Sequence, residues 1–331
     1  MKAHFKTLLA CLVLGVALGA NAPASATISK KKVVAAKKTP VKPAGKKVHR
    51  APKAVGRAAA EAEERHATLQ AEDGAAPLEQ IRSAAVAVID QSTGDVLLEK
   101  NADAVTPIAS ITKLMTAMVA LDVQPDLHEA LTISEADVDT IKGTHSRLVV
   151  GATLTREEML RLALMSSENR AAAALSRYYP GGRDAFVKAM NAKAKMLGLT
   201  DTRFADPTGL SPENVSSARD LVKLVNAAHQ YPLIREFSTT DEYQVVIRGR
   251  AQTFRNTNAL VRNEQWNIGL SKTGFISEAG KCLVMQAWLA NRPMIIVLLD
   301  SWGKLTRIAD AQRIKRWVET TLASSGRPTQ G

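Results

Sequence analysis

Pro107-Ile-Ala-Ser110-Ile-Thr-Lys113-Leu-Met-Thr-Ala117 opens a helix in which Ile111, Leu114, Met115, Met118 and Val119 recur at helical spacing. The predicted helix runs from Ser110 to Leu121, with Ser110 at or near its start. Three residues apart on a helix, a hydroxyl and an amine share a face and can hydrogen-bond. The amides of a helix start also favour developing negative charge on the serine. Ser-x-x-Lys alone specifies little, because Ser29-Lys30-Lys31-Lys32 and Ser301-Trp302-Gly303-Lys304 have the same form.

Upstream of that helix, β-rich runs at Ala84 to Asp90 and Asp95 to Glu99 flank the turn Gln91-Ser92-Thr93-Gly94 and predict a hairpin. Downstream, residues 156 to about 230 are mostly helical, with helices over Met159 to Met165, Arg170 to Tyr178, Arg183 to Leu197 and Ala218 to His229. Gly198, Asp206-Pro207-Thr208-Gly209 and Ser211-Pro212 punctuate them. After Tyr231 the pattern turns to strands at Tyr243 to Arg248, Ile268 to Lys272, Lys281 to Leu289 and Met294 to Leu299, then a last helix, Leu305 to Leu322. Strands at both ends with helices between them predict an α+β domain, one antiparallel sheet assembled from the two chain ends and covered by helices.

The chain has 331 residues, and its 46% hydrophobic fraction suffices for a sizeable core. Lys2 and Lys6, the apolar run Leu8 to Ala20 and the ending Ala24-Ser25-Ala26 predict a signal peptide over 1–26. That apolar run is short for a membrane anchor. Residues 27–60 carry eleven Lys and Arg and no acid, so with Lys2 and Lys6 removed as well, the rest of the chain sums to about −1 of the total +12. A Lys-Ala-Pro segment buries too little to offset chain entropy, which predicts a disordered tether, followed by a linker over 61–80. In an exported, periplasmic protein its basic charge would meet anionic headgroups or wall polymers weakly, as a peripheral contact with membrane or wall, and no nucleic acid is expected. A solvated spacer without a partner is an equal reading. Signal cleavage would leave Cys282 as the single cysteine, expected buried and inert.

Two further elements follow Ser110-Ile-Thr-Lys113 in order. Ser167-Glu168-Asn169 comes 57 residues after Ser110, and Lys272-Thr273-Gly274 comes 105 residues after Ser167. With their contexts Met165-Ser-Ser-Glu-Asn-Arg, Asp206-Pro-Thr-Gly-Leu-Ser and Ser271-Lys-Thr-Gly-Phe275, they resemble low-molecular-mass penicillin-binding proteins of the D-alanyl-D-alanine carboxypeptidase and endopeptidase family, over roughly 84–322. The resemblance implies a penicillin-binding protein/β-lactamase-like fold over 81–325, a short tail at 326–331, no cofactor and no metal. It implies Ser110 as the acylated nucleophile, Lys113 as its base, Ser167 as the proton relay to the leaving amine, and Asn169 as the residue orienting Lys113 and the substrate amide. Lys272, Thr273 and Gly274 would bind the substrate carboxylate and strand, with the oxyanion held by the amides of Ser110 and Phe275. Lys113 must be neutral to act, and burial and the charge of Lys272 are both expected to lower its pKa. Taken singly, Ser167 reads equally as a helix cap, Lys272 as a strand-edge charge and Asn169 as a turn residue.

Glu168 stands where the family often has glycine and is expected to point away as a surface acid. His145 and Arg147 are expected to be solvent-facing loop residues. The six histidines form no close pair, and neither a Gly-x-Ser-x-Gly elbow nor a phosphate loop occurs. Only 57 residues follow Gly274, which suggests the endopeptidase branch, without the extra C-terminal β domain of larger carboxypeptidases. The expected substrates are peptidoglycan stem peptides and their cross-links, with β-lactams as covalent inhibitors. A carboxypeptidase is the second reading. A β-lactamase or a non-catalytic wall-binding protein follows, the former lacking an evident base for water beyond Glu213.

Overall fold

The computed structural model describes residues 77–303 and 305–325. The predicted signal peptide, the basic tether, most of the linker, the 326–331 tail and two residues of interest, Ser29 and Lys304, lie outside them. Strands β1 (Ser83–Asp90) and β2 (Val96–Lys100) form the expected hairpin. Next come β3 (Thr106–Pro107), helix α1 (Lys113–Asp122), β4 (Ala130–Thr132) and β5 (Thr153–Thr155). Helices α2 (Arg156–Met165), α3 (Asn169–Arg177) and α4 (Gly182–Met196) follow, then β6 (Val215–Ser216), α5 (Ala218–His229) and α6 (Pro232–Thr239). The chain continues through β7 (Glu242–Ile247), β8 (Arg250–Arg255), β9 (Asn267–Ile276), β10 (Gly280–Leu289) and β11 (Arg292–Ser301) to α7 (Thr306–Ser325).

One antiparallel sheet of five strands, in the order β2-β1-β11-β10-β9, joins the two ends of the described chain. Both of its faces are covered, which is why β11 is apolar without alternation. Ile295, Val297 and Leu299 face the helices α1 to α6, while Met294, Ile296 and Leu298 face α7 through Ala311, Ile314 and Val318. Helix α1 lies inside the helical layer, and all its residues from Lys113 to Ala120 are buried. A capping box starts α2: Thr155 Oγ1 accepts from Glu158 N at 3.1 Å, and Thr155 N donates to Glu158 Oε2 at 2.8 Å. Among the described residues no helix is long and apolar enough to cross a membrane.

Sequence periodicity missed α6 and β8. Helix α6 is short and begins with Pro232, which reads as a breaker yet fits the first helical turn, where its missing N–H is not needed. Strand β8 is polar, and Phe254 is its buried residue, so it pairs with β7 as an outlying hairpin and carries little apolar signal. Strand β9 runs to Ile276, longer than expected, so that Lys272, Thr273 and Gly274 lie inside an edge strand of the sheet.

Candidate active site

Ser110 sits in a 3-10 turn, Ala109–Thr112, one turn ahead of the α-helix proper, where the sequence placed it on the helix itself. In 3-10 geometry residues i and i+3 eclipse, so Lys113 Nζ reaches Ser110 Oγ at 2.9 Å. The same nitrogen donates to Asn169 Oδ1 at 2.8 Å and to the Thr208 carbonyl at 2.6 Å. These last two oxygens can only accept. A neutral amine therefore spends both of its N–H groups on them, and its lone pair is left facing the Ser110 hydroxyl.

Lys113 is completely buried, and burial pushes its pKa down from 10.5 to about 7 against the Asp206 and Glu168 carboxylates, which raise it. Burial thus acts as the sequence suggests. The charge of Lys272 does not: Lys272 is itself lowered well below its ordinary value, by burial first and then by Lys113 and Arg307.

The turn carrying Ser110 is pinned from several sides. Ile108 N donates to the Asn214 carbonyl at 3.0 Å, and Asn214 Nδ2 donates to Thr112 Oγ1 at 3.0 Å. Asp206 gathers the 206–211 loop, accepting from Thr208 N at 2.6 Å, Gly209 N at 2.9 Å and Ser211 N at 2.8 Å. Gly209 has φ +80°, and a Cβ there would stand 2.0 Å from the Ala109 carbonyl oxygen. That close approach helps to hold Ala109, itself at φ +48°, just before Ser110. The sequence marked Asp206-Pro207-Thr208-Gly209 as a turn, but the use of a backbone carbonyl as a partner of Lys113 has no side-chain signature.

Across the cleft, Lys272 Nζ donates to Ser167 Oγ at 2.9 Å, and Thr273 Oγ1 donates to Thr257 Oγ1 at 2.6 Å. Ser167 occupies the left-handed region with φ +61°, a strained setting for serine that its neighbours must impose. It is therefore not an ordinary helix cap, and Asn169 is the first residue of α3. Gly274 brings β9 against the nucleophile turn, since a Cβ there would be 2.8 Å from the Ile108 carbonyl and 3.2 Å from the Ser110 amide nitrogen. Phe275 follows on the strand with an exposed ring, 4.2 Å from Lys281 Nζ. Ser110, Lys113, Ser167, Asn169, Lys272, Thr273 and Gly274 thus come together where the Ser110 turn, the start of α3 and β9 meet, while the Phe275 ring is exposed beside Lys281.

Some expectations are corrected. Glu168 is buried, with Oε2 accepting from Ser146 Oγ at 2.6 Å, and burial raises its pKa above the usual carboxylate range. It turns inward because Ser146 belongs to the 139–148 loop that roofs the cleft, where Asn169 Nδ2 also donates to Thr144 Oγ1 at 3.0 Å. Arg147 is exposed but not free, for its guanidinium lies 3.8 Å from the centre of the Phe254 ring. Glu213 is exposed and paired with Arg203 at 3.7 Å, a poor setting for a base that activates water. Cys282 is buried as expected, its thiol pushed up to about 11. A residue missed from the sequence is Arg307 of α7, which donates to the carbonyls of Gly274 at 3.1 Å and Cys282 at 3.2 Å, behind the end of the substrate strand.

Comparison with known proteins agrees with this geometry. The D-alanyl-D-alanine carboxypeptidase model of peptidase family S11 matches residues 70–303. The chain belongs to this family. It is 54% identical over 247 residues to a D-alanyl-D-alanine endopeptidase of Pseudomonas aeruginosa, covering 74% of this chain and 80% of that one. It is 51% identical over 243 residues to a D-alanyl-D-alanine endopeptidase of Escherichia coli K12, covering 73% and 78%. Among solved structures, the Streptomyces K15 DD-transpeptidase superposes with a TM-score of 0.67 at 29% identity, covering 72% of this chain and 97% of that one. The family fold is thus the α+β sheet of both chain ends seen here.

Proposed function

We propose that this chain is a serine D-alanyl-D-alanine endopeptidase that cuts peptidoglycan cross-links through an acyl-enzyme on Ser110, with 81–325 as its catalytic domain. The observation that carries the chemistry is the buried Lys113 amine, 2.9 Å from Ser110 Oγ with a pKa near 7. The choice of bond is supported by the two endopeptidases that are more than half identical to this chain.

Ser110 gives its proton to neutral Lys113 as Oγ attacks the D-alanyl carbonyl carbon, and the oxyanion is held by the amides of Ser110 and Phe275. As the tetrahedral intermediate collapses, the C–N bond breaks and a proton passes through Ser167 to the departing amine. Lys272 and Thr273 hold the carboxylate beside that amine, and Asn169 keeps Lys113 in line. Water then attacks the ester, releasing the donor peptide and restoring Ser110. Penicillin would acylate the same oxygen and leave slowly, because its ring nitrogen stays tethered to the acyl group and keeps the place that water must take. The predicted leader would send the enzyme outside the cytoplasmic membrane, where the basic segment would either contact anionic envelope surfaces weakly or act as a spacer.

Purified protein is incubated with cross-linked muropeptide dimers and with pentapeptide monomers. Dimer cleavage is expected; loss of terminal D-alanine from monomers with dimers intact would make it a carboxypeptidase. Fluorescent penicillin should label the wild type and not Ser110→Ala, and an unlabelled wild type would point to a non-catalytic wall protein.

A further inference from the structure

Two hollows lie near the candidate site. One, of about 30 Å³, is lined by Asn169 and Thr208, the partners of Lys113. The other, of about 550 Å³, is lined by Arg147, Ser166, Glu242, Thr253, Arg255 and Thr257. Ser166 adjoins Ser167, and Thr257 is the residue that Thr273 Oγ1 holds at 2.6 Å. Thr257 N also donates to the Met165 carbonyl at 2.9 Å, which ties this wall to the Ser167 turn. The larger hollow therefore lies beside the Ser167 turn, through which the proposed mechanism passes a proton to the leaving amine.

Its charge is unbalanced. Arg255 is answered by Glu242, Nε to Oε2 at 2.8 Å. Arg147 donates to the Thr253 carbonyl and stacks on Phe254; it makes no ion pair among the described residues, although it lies close enough to the buried Glu168 to favour that carboxyl's charged form. The stacking holds the guanidinium in place, so little side-chain entropy remains to be lost when an anion binds.

We propose that this cavity is the subsite for the leaving stem peptide, and that Arg147 recognises one of its carboxylates. The inference rests on the endopeptidase reading and deepens it. A leaving D-alanine ends at the carboxylate held by Lys272 and Thr273 and would leave the space empty. A leaving stem peptide has that same carboxylate beside its amine and continues into a peptide arm with further carboxylates. The hollow is open to solvent, with Arg255 and Glu242 exposed on its rim, as suits a peptide arm that runs out of the site, and a guanidinium fork matches a carboxylate with paired hydrogen bonds. Arg147 is a specificity residue here; it takes no part in acyl transfer.

The test uses the full chain carrying Ser110→Ala, titrated by calorimetry with the released tetrapeptide stem, with the same stem amidated at every carboxylate except the one beside the leaving amine, and with D-alanine. Amidation should weaken binding about 10-fold, Arg147→Gln should weaken the native stem by about as much, and in that variant amidation should cost nothing further. D-alanine should bind both proteins alike. Equal affinity for native and amidated stems in the Ser110→Ala protein overturns the subsite without reference to any Arg147 variant. If the wild type cuts dimers and R147Q cuts and binds equally well, the subsite alone falls. Dimers left whole by the wild type sink the endopeptidase reading and the subsite with it.

Discussion

The neutral amine of Lys113 makes the pH dependence of Ser110 acylation the sharpest consequence of the site. With a pKa of about 7, the fraction of Lys113 able to accept a proton is about 1% at pH 5, ~10% at pH 6 and ~50% at pH 7. An ordinary lysine would offer only about 3 in 10,000 at pH 7, so burial is worth roughly 10³-fold in usable base. Acylation should therefore rise about tenfold per pH unit below 7 and level off above pH 8. The assay is stopped-flow labelling with fluorescent penicillin at saturating concentration. Saturation matters because Lys272, whose grip on the penicillin carboxylate also titrates, then drops out of the measured rate. Lys113→Arg, which stays charged, should lose about 10²- to 10⁴-fold at every pH. A wild-type rate that keeps climbing through pH 9, or one flat from pH 5 to 8, would show that Lys113 is not the base.

Glu168→Gln removes a carboxylate that raises the Lys113 pKa, so the midpoint of that profile should move to lower pH and labelling at pH 6 should quicken; an unmoved midpoint would exclude the electrostatic contact. Because folded Lys113 titrates near 7 and an unfolded lysine near 10.5, the unfolded chain binds more protons between those values, and stability gains with rising pH there. Lys113→Met escapes that penalty, so its urea midpoint relative to wild type should fall as pH goes from 7 to 10, and a constant difference would refute the linkage. Gly209→Ala forces a Cβ toward the Ala109 carbonyl at positive φ, and should cost at least ~1–3 kcal/mol in urea unfolding and slow penicillin labelling through displacement of Ser110.

The sequence by itself determined most of the frame and singled out the side chains that meet at the site. Ser110, Lys113, Ser167, Asn169 and Lys272 are side-chain types in a fixed order, and their helices and strands carry apolar periodicities that survive in one dimension. Helix Ala218–His229 is where the pattern put it, and β10 and β11 differ from expectation only at their ends. What the fold decided depends on backbone and on distance through space. The 3-10 turn that eclipses Ser110 with Lys113, the Thr208 carbonyl that takes one of its N–H groups, and the strained φ of Ser167 arise from packing between segments far apart in the chain. Glu168 shows the limit most plainly. A carboxylate beside a polar turn reads as solvated, and only the 139–148 loop folding back, with Ser146 presented to it, turns it into a buried acid that acts on Lys113. The pKa of Lys113 belongs to the same class, since depth beneath a protein surface is a property of the whole packed molecule and is not written in any local run of residues.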